Sequence, residues 1–260
     1  MSTVTTSVPR GARPGAGGLR RGFLLLELRR MMRNRRTVLF ALVMPLVFFV
    51  VFGSQSSARA SVYGSANVTA YVMVSMAVYG AMLATTSGGA MVAVERAAGW
   101  VRQLRLTPLR PAAYVATKLA CAMVLGLCSV AVVFVGGAIT GARLTAAAWV
   151  SCFLIAWLTS VVFAAFGLFM GYLLPSENVM QILGPVLALL SFAGGLFMPL
   201  HGWFDTVSRI FPTNGVATLA RLPLGDTSAG SAALAVLNVV AWAAAFGCGA
   251  AVLFRRDTAR

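Results

Sequence analysis

Charged residues are scarce in this sequence, and their scarcity argues against a water-soluble fold. Only 10% of the 260 residues are Asp, Glu, Lys or Arg, while 59% are hydrophobic; a soluble domain carries about a quarter charged residues. The six acidic residues are outnumbered by 21 basic ones, which gives a net charge of +15. Because no soluble core is available to present a basic face, this excess indicates a membrane protein and no nucleic-acid partner.

Common catalytic signatures are also missing. The single histidine, His201, belongs to no HExxH pattern, which argues against a membrane-embedded hydrolase. The chain has no Gly-x-x-x-x-Gly-Lys-Ser/Thr loop, and its one lysine, Lys118, follows Thr117. We therefore expect this chain to bind no ATP, metal or other cofactor and to have no catalytic residue. The cysteines lie in apolar segments and are interpreted as packing residues: Cys121, Cys128, Cys152 and Cys248.

The few charges leave long uncharged intervals between them. A bilayer core about 30 Å thick requires about 20 apolar helical residues. Each of six intervals is long enough: 37–58, 60–94, 119–142, 144–176, 178–204 and 227–254. The pattern predicts an all-α membrane protein, with a domain of six transmembrane helices over residues 37–254.

The basic residues are divided unevenly between the two sides that six spans would define. Of the 21, 17 precede the first span, separate the second from the third, or follow the sixth. Cytoplasmic loops are rich in Lys and Arg, so we expect both termini to lie in the cytoplasm. The membrane that we expect is a bacterial plasma membrane. The loop around Pro175 and Glu177 has no basic residue and is placed on that side by parity alone.

The two ends of the chain lie outside the predicted membrane domain. Residues 1–18 are rich in Ser, Thr, Gly, Pro and Arg without an apolar run, which predicts a disordered cytoplasmic tail. Residues 19–36 predict an amphipathic interfacial helix, although a charge cluster that only sets topology is an alternative. Residues 255–260 form a second predicted cytoplasmic tail. The apolar face of the interfacial helix consists of Leu24, Leu28 and Met31, and its basic face consists of Arg29, Arg33 and Arg36.

Small and polar residues inside the spans are open to two interpretations. Gly167 and Gly171 are spaced as GxxxG, which favours helix packing over a ligand site. The weakly apolar stretch from Thr85 to Gly89 predicts a kink or a polar lining. Polar side chains within the spans are weak candidates for a substrate path, although hydrogen bonds to their own helix are the simpler interpretation: Thr85, Thr86, Ser87, Ser160, Gln181 and Ser191.

The largest predicted external segment is residues 200–230. It has aromatic and apolar residues at amphipathic spacing until Pro212 interrupts the pattern. Such residues favour the membrane interface, and we expect a re-entrant segment if protein covers its backbone. The residues concerned are Trp203, Phe204, Val207, Ile210 and Phe211.

The loop between the second and third spans, residues 95–110, has the clearest functional pattern. It reads ERAAGWVRQLRLTPLR, and Tyr114 and Lys118 follow at the start of the next span. With GGLFMP at 194–199, Phe211-Pro212 and the six spans, the sequence resembles the type-2 ABC transporter permease family, in its drug and antibiotic exporter branch. Trp100 and Arg102 depart from the Thr and Glu that the family usually has.

The resemblance implies that Glu95 to Leu106 forms a cytoplasmic coupling helix that docks on a separate ABC ATPase subunit, and Thr107-Pro108 would end this helix. ATP and Mg²⁺ would bind in that partner. Two permease copies, expected to be identical, would act with two ATPases. The alternative is a basic loop that only follows the positive-inside rule. The expected docking residues are Glu95, Arg96, Gly99, Trp100, Leu104, Thr107 and Pro108.

The expected function is export of a hydrophobic or amphipathic, drug-like compound. One alternative is an ion-coupled secondary transporter, which ordinarily keeps Asp, Glu, His or Lys within the membrane. The deep parts of the spans lack these residues, and Lys118 is placed too near the cytoplasmic end to count. A sodium site of carbonyls and hydroxyls stays open. The other alternative is a membrane-embedded enzyme, and copurification with an ATPase would separate these cases.

Overall fold

The chain folds almost entirely into α-helices in a computed structural model that describes residues 21–55, 61–99, 111–198, 200–225 and 228–258. In these ranges, five helices are long and apolar enough to cross a bilayer. A sixth crossing results if the bent pair Leu24–Arg33 and Val38–Gly53 counts as one. The expected all-α membrane protein is therefore confirmed, with five or six candidate spans. The predicted tail at 1–18 lies outside the described residues.

The helices follow the order of the uncharged intervals, with short elements added between them. α5 and α6 together form one candidate span, Ala146–Leu173. The elements are α1 (Arg21–Arg33), α2 (Arg35–Gly53), β1 (Val62–Tyr63), β2 (Ala66–Asn67), α3 (Val68–Ala97), α4 (Pro111–Thr140), α5 (Ala146–Thr159), α6 (Val161–Leu173), α7 (Ser176–Ala193), α8 (Trp203–Ser208), α9 (Pro212–Arg221), a 3-10 turn (Leu222–Leu224) and α10 (Ala229–Thr258).

α1 turns an apolar face towards the protein and a basic face outward. Leu24, Leu28 and Met31 pack in or against the core, whereas Arg29 and Arg33 are exposed. These are the faces that helical spacing predicts, and the side chain of Arg36 lies outside the described set. α1 meets α2 at a 63° bend and packs on the start of α4. Its location in the membrane interface stays a prediction.

α3 is the centre of the fold, enclosed by α2, α4 and α6 along nearly its whole length. Gly89 faces the backbone of α6, where an added Cβ would lie 2.6 Å from the Ala164 carbonyl oxygen. Gly167 faces back, and a Cβ there would overlap the Thr86 carbonyl. The interpretation of Gly167 and Gly171 as packing residues is confirmed, since small residues allow membrane helices to approach closely.

A short hairpin precedes α3, within an interval that the sequence alone assigns to the membrane span. β1 and β2 pair antiparallel with Val62 opposite Asn67, and Gly64 takes a φ of 56° that suits glycine. Asn67 caps α3 by accepting a hydrogen bond from the Ala70 amide at 3.1 Å. Its own amide donates to the Gly141 carbonyl at 3.0 Å, so one side chain joins α3 to the loop between α4 and α5.

The segment between α7 and α10 folds back against the membrane helices. In α8, Trp203 and Phe204 are exposed. Pro212 begins α9 at the first helical position, where its missing N–H removes no hydrogen bond. α9 buries one face, which includes Val216, among α3, α5, α7 and α10. Re-entry of this segment into the bilayer stays a prediction.

Contacts between loops and helix ends show which loops lie at the same end of the bundle. At one end, Arg96 of α3 donates to the Tyr172 carbonyl of α6 at 3.0 Å, and α4 and α10 join them through an apolar cluster. The loop at Pro175 therefore lies at the same end as the last turn of α3, as parity requires. At the opposite end, the Ser65 amide in the hairpin donates to the Leu224 carbonyl after α9 at 2.8 Å.

Candidate functional site

Four charged side chains meet inside the protein where α3 ends and α4 begins. Lys118 of α4 donates hydrogen bonds to Glu27 of α1 and Glu95 of α3. Arg30 of α1 donates to Glu95 at 3.0 Å. We call Glu27, Arg30, Glu95 and Lys118 the charge cluster.

The charge cluster is electrically balanced, and all its members except Arg30 are buried. The side chains of Lys118 and Glu95 are fully buried, that of Glu27 is 5% exposed, and that of Arg30 is 44% exposed. Two acids face two bases, and the Tyr114 hydroxyl donates to the second carboxylate oxygen of Glu95. Because a buried charge without a partner is strongly unfavourable, each buried member depends on the others.

The charge cluster brackets the loop 95–110. Glu95 lies in the last turn of α3, and Lys118 lies near the start of α4, so their ion pair joins the helices on either side of the loop. Glu27 extends the connection to α1. A displacement that reaches the last turn of α3 must therefore move α1, α3 and α4 together or separate buried ion pairs.

The described docking candidates all belong to the end of α3. Glu95 and Arg96 continue this helix, which ends at Ala97. The expected coupling helix therefore does not begin at Glu95, because the carboxylate of Glu95 is buried against Lys118 and so keeps this turn in the bundle. In this arrangement Glu95 presents no surface to a partner.

Gly99 ends α3 by its backbone conformation. It has a φ of 69°, and its amide donates to the Arg96 carbonyl at 3.0 Å, which is a common way to terminate a helix. A conformational role thus accounts for the glycine in the loop pattern. The other docking candidates lie outside the described residues, and their contact with an ATPase stays a prediction: Trp100, Leu104, Thr107 and Pro108.

The predicted path residues of α3 are committed to backbone hydrogen bonds. Thr85 and Ser87 each donate to the carbonyl four residues earlier at 2.7 Å. Thr86 donates across to the Phe163 carbonyl of α6 at 3.2 Å. α3 runs unbroken through these residues, without the kink that their composition suggested, and Thr86 serves contact with α6.

The remaining path candidates fall in two places: Ser160 lies beside Thr85, which also donates to its carbonyl at 3.3 Å, whereas Gln181 and Ser191 belong to α7. Ser191 donates to the carbonyl four residues earlier at 2.7 Å, and Ser160 donates to the Trp157 carbonyl at 2.6 Å where α5 gives way to α6. Gln181 is exposed on α7. The simpler interpretation, hydrogen bonding to the helix backbone, holds for the serines, and a role for Gln181 in a path stays a prediction.

Sequence reasoning missed the partners of Glu95. Lys118 does lie near the end of its span, as expected, but its side chain is fully buried, which the sequence does not show. A signal was present: Glu27 is the only acidic residue before Glu95 and stands in a strongly basic segment, and Lys118 is the only lysine. Glu27 and Lys118 are thus unusual for their charge or residue type, although the sequence does not show that they contact each other.

A bundle of five or six apolar crossings with a paired charge cluster at one end defines a multi-pass α-helical membrane protein. The family model described as "ABC-2 type transporter" matches residues 23–218, and the chain belongs to this family. It is also similar to "Putative transport permease YvfS" of Bacillus subtilis (strain 168), with 29% identity over 189 residues that cover 72% of this chain and 76% of the relative. Membership of this family indicates that the chain is the membrane subunit of a transporter rather than an enzyme.

Proposed function

We propose that this chain is the permease subunit of an ATP-driven exporter in which two identical copies act with two ABC ATPase subunits. The exported compound is hydrophobic or amphipathic, of the drug or antibiotic type. Membership of the ABC-2 family supports an ATPase partner, which would bind ATP and Mg²⁺. The similarity to a Bacillus subtilis protein named as a transport permease supports the transport role.

The observation that carries this proposal is the charge cluster beside the loop 95–110. A force on the loop reaches α3 through Glu95, α4 through Lys118 and α1 through Glu27. Separating one buried charge from its partners costs about 3–5 kcal/mol, so the three helices move together more easily than they part. Closure of the ATPase subunits on ATP would thereby reorient the spans in alternating access.

Replacing Leu104 with aspartate should reduce copurification of the ATPase by about tenfold or more, because loss of an apolar anchor at an interface costs about 2 kcal/mol. Gly99 is a poor target for this test, since it also caps α3. The matched control is Gln103→Asp, which adds the same charge one residue away and removes no apolar anchor. Equal recovery of the ATPase with both variants would show that Leu104 does not dock.

Orientation can be measured by cysteine labelling at the two ends of the bundle. Ser61 and Glu177 are exposed and lie at opposite ends. With a membrane-impermeant maleimide on intact cells, the Ser61→Cys variant should be labelled, and the Glu177→Cys variant should react only after permeabilisation. The unsubstituted protein is the blank for its own four cysteines. Labelling of Glu177→Cys in intact cells would contradict cytoplasmic termini.

The buried Glu95 and Lys118 also favour, more weakly, the alternative of ion-coupled transport, because such residues within membranes serve as proton relays. The pairing of all four charges and their place at one end of the bundle favour a structural connection instead. Proteoliposomes that contain the permease without an ATPase distinguish the two. Uptake driven by a proton or sodium gradient alone would support ion coupling and contradict the ATP-driven proposal.

A further inference from the structure

A cavity of about 480 Å³ with a mixed polar and apolar lining lies at the end of the bundle opposite the charge cluster. It is bounded by α8, α9, α10 and the turn that follows α7. Its lining includes one histidine and three charged side chains: His201, Asp205, Arg209 and Arg221. None of the sequence-predicted path residues lines it.

Arg221, the last residue of α9, is held in place by neutral partners. Its Nη2 donates to Ser75 Oγ at 2.6 Å and to the carbonyls of Gly195 and Leu196 at 3.2 Å each. The guanidinium lies over the Tyr71 ring, 4.2 Å from the centroid. Among the described residues, no carboxylate lies within ion-pair distance of Arg221.

Within the part of the chain that the structure describes, the charge of Arg221 is therefore uncompensated, unlike the charges at the other end of the bundle. Burial lowers the pKa of its guanidinium, which reflects the unfavourable desolvation of a cation, yet arginine stays protonated in proteins. Its Nη1 donates no hydrogen bond to the described residues. Arg221 lines the cavity, and its Nη1 can therefore still donate hydrogen bonds to a ligand there.

The other charged residues of the cavity do not neutralise the positive charge of Arg221. Arg209 is already paired with Asp205 at 2.7 Å, so the two together add no net charge. The cavity also has an apolar margin, because Leu234 lines it and is 57% exposed. Trp203 and Phe204 of the neighbouring α8 are exposed and stacked, which is typical of residues at headgroup level. A cation beside an apolar margin suits a molecule with an acidic head and an apolar body.

We propose that this cavity binds the phosphate or carboxylate group of a membrane amphiphile and that Arg221 is the anion-binding residue. The inference deepens the proposed export function, on which it rests for the amphipathic nature and outward side of the ligand. Free inorganic phosphate shares the same chemistry and is tested separately. Binding itself is measured without an ATPase, so failure here and failure of ATPase docking are distinguishable.

Thermal unfolding of the purified full-length protein in neutral detergent tests the site. Dihexanoyl phosphatidylglycerol should raise the unfolding midpoint saturably, and dihexanoyl phosphatidylcholine, its zwitterionic counterpart, should not. Arg221→Gln should weaken the apparent affinity about tenfold or more, since hydrogen bonds to charged groups are the strong ones. Arg143→Gln is the matched control, because it removes a cation from the same end outside this cavity.

The outcomes separate ligand binding from a structural role of Arg221. If Arg221→Gln unfolds because its bond to Ser75 is lost, Ser231→Trp, which fills the cavity and leaves that bond intact, should abolish the response to phosphatidylglycerol. Sodium phosphate that reproduces the full Arg221-dependent shift would overturn the assignment to an amphiphile. Equal responses to the two lipids, or equal weakening by Arg143→Gln, would overturn the site altogether.

Discussion

Replacing Lys118 with methionine should destabilise the folded subunit by about 3–5 kcal/mol. Methionine fills a similar volume but cannot donate the hydrogen bonds that Glu27 and Glu95 receive from the ammonium group. Two buried carboxylates would then share Arg30, which is 44% exposed. Thermal unfolding of the purified subunit, with its folded yield from gel filtration, measures the loss.

A triple variant distinguishes stability from transmission of movement. Lys118→Met combined with Glu27→Gln and Glu95→Gln removes the buried charges together and should recover most of the stability, because replacing a whole buried pair is often neutral. If the charge cluster also transmits movement, this variant should bind the ATPase but transport less per ATP hydrolysed. Arg256→Met, at an exposed site, is the control and should change stability by about 0.5 kcal/mol or less. Unchanged stability in Lys118→Met would contradict the pairing.

Replacing Gly167 with alanine should destabilise the subunit by about 3 kcal/mol, the upper part of the range for overpacking. The added methyl group would overlap the backbone carbonyl of Thr86, which cannot move aside as a flexible side chain can. α3 and α6 would have to separate, which would also disturb the hydrogen bond from Thr86 to the Phe163 carbonyl. Thermal unfolding in detergent measures the effect.

Gly247 provides a matched control for this substitution. It also lies inside an apolar helix, α10, but an added Cβ meets nothing within 4 Å. Gly247→Ala should therefore be neutral or stabilising by up to about 1 kcal/mol, because alanine favours the helix. The same chemical change should thus be destabilising at Gly167 and harmless at Gly247. Destabilisation of similar size at Gly247 would show that contact with α6 is not what makes Gly167 sensitive.

The membrane segments could be predicted from the sequence because insertion into a bilayer depends on local composition. The exact ends of the helices could not be predicted, because some charged residues continue a helix rather than end it. The intervals beside the loop were expected to end before Glu95 and to begin after Lys118, yet α3 continues to Ala97 and α4 begins at Pro111. A charge that finds a buried partner does not end a helix, and only the fold shows which charges do so.

The charge cluster itself was beyond sequence reasoning because its members are distant along the chain. Glu27 reads as one acid in a basic amphipathic helix, and Glu95 reads as part of a loop that resembles a docking motif. The packing of both α1 and α3 on α4 is what brings the two carboxylates to Lys118. By contrast, the role of Gly167 was predictable, because close helix contact needs only the local GxxxG spacing.

The enclosure of α3 by its own subunit has a consequence for biogenesis. The ribosome makes α3 before α4 and α6, the helices that cover its glycines and Glu95. Until those helices arrive, this surface is poorly suited to hydrocarbon, which favours holding α3 beside the insertion machinery over releasing it into lipid. A nascent chain interrupted before α6 would expose this surface, so the fourth predicted crossing completes the membrane integration of the second.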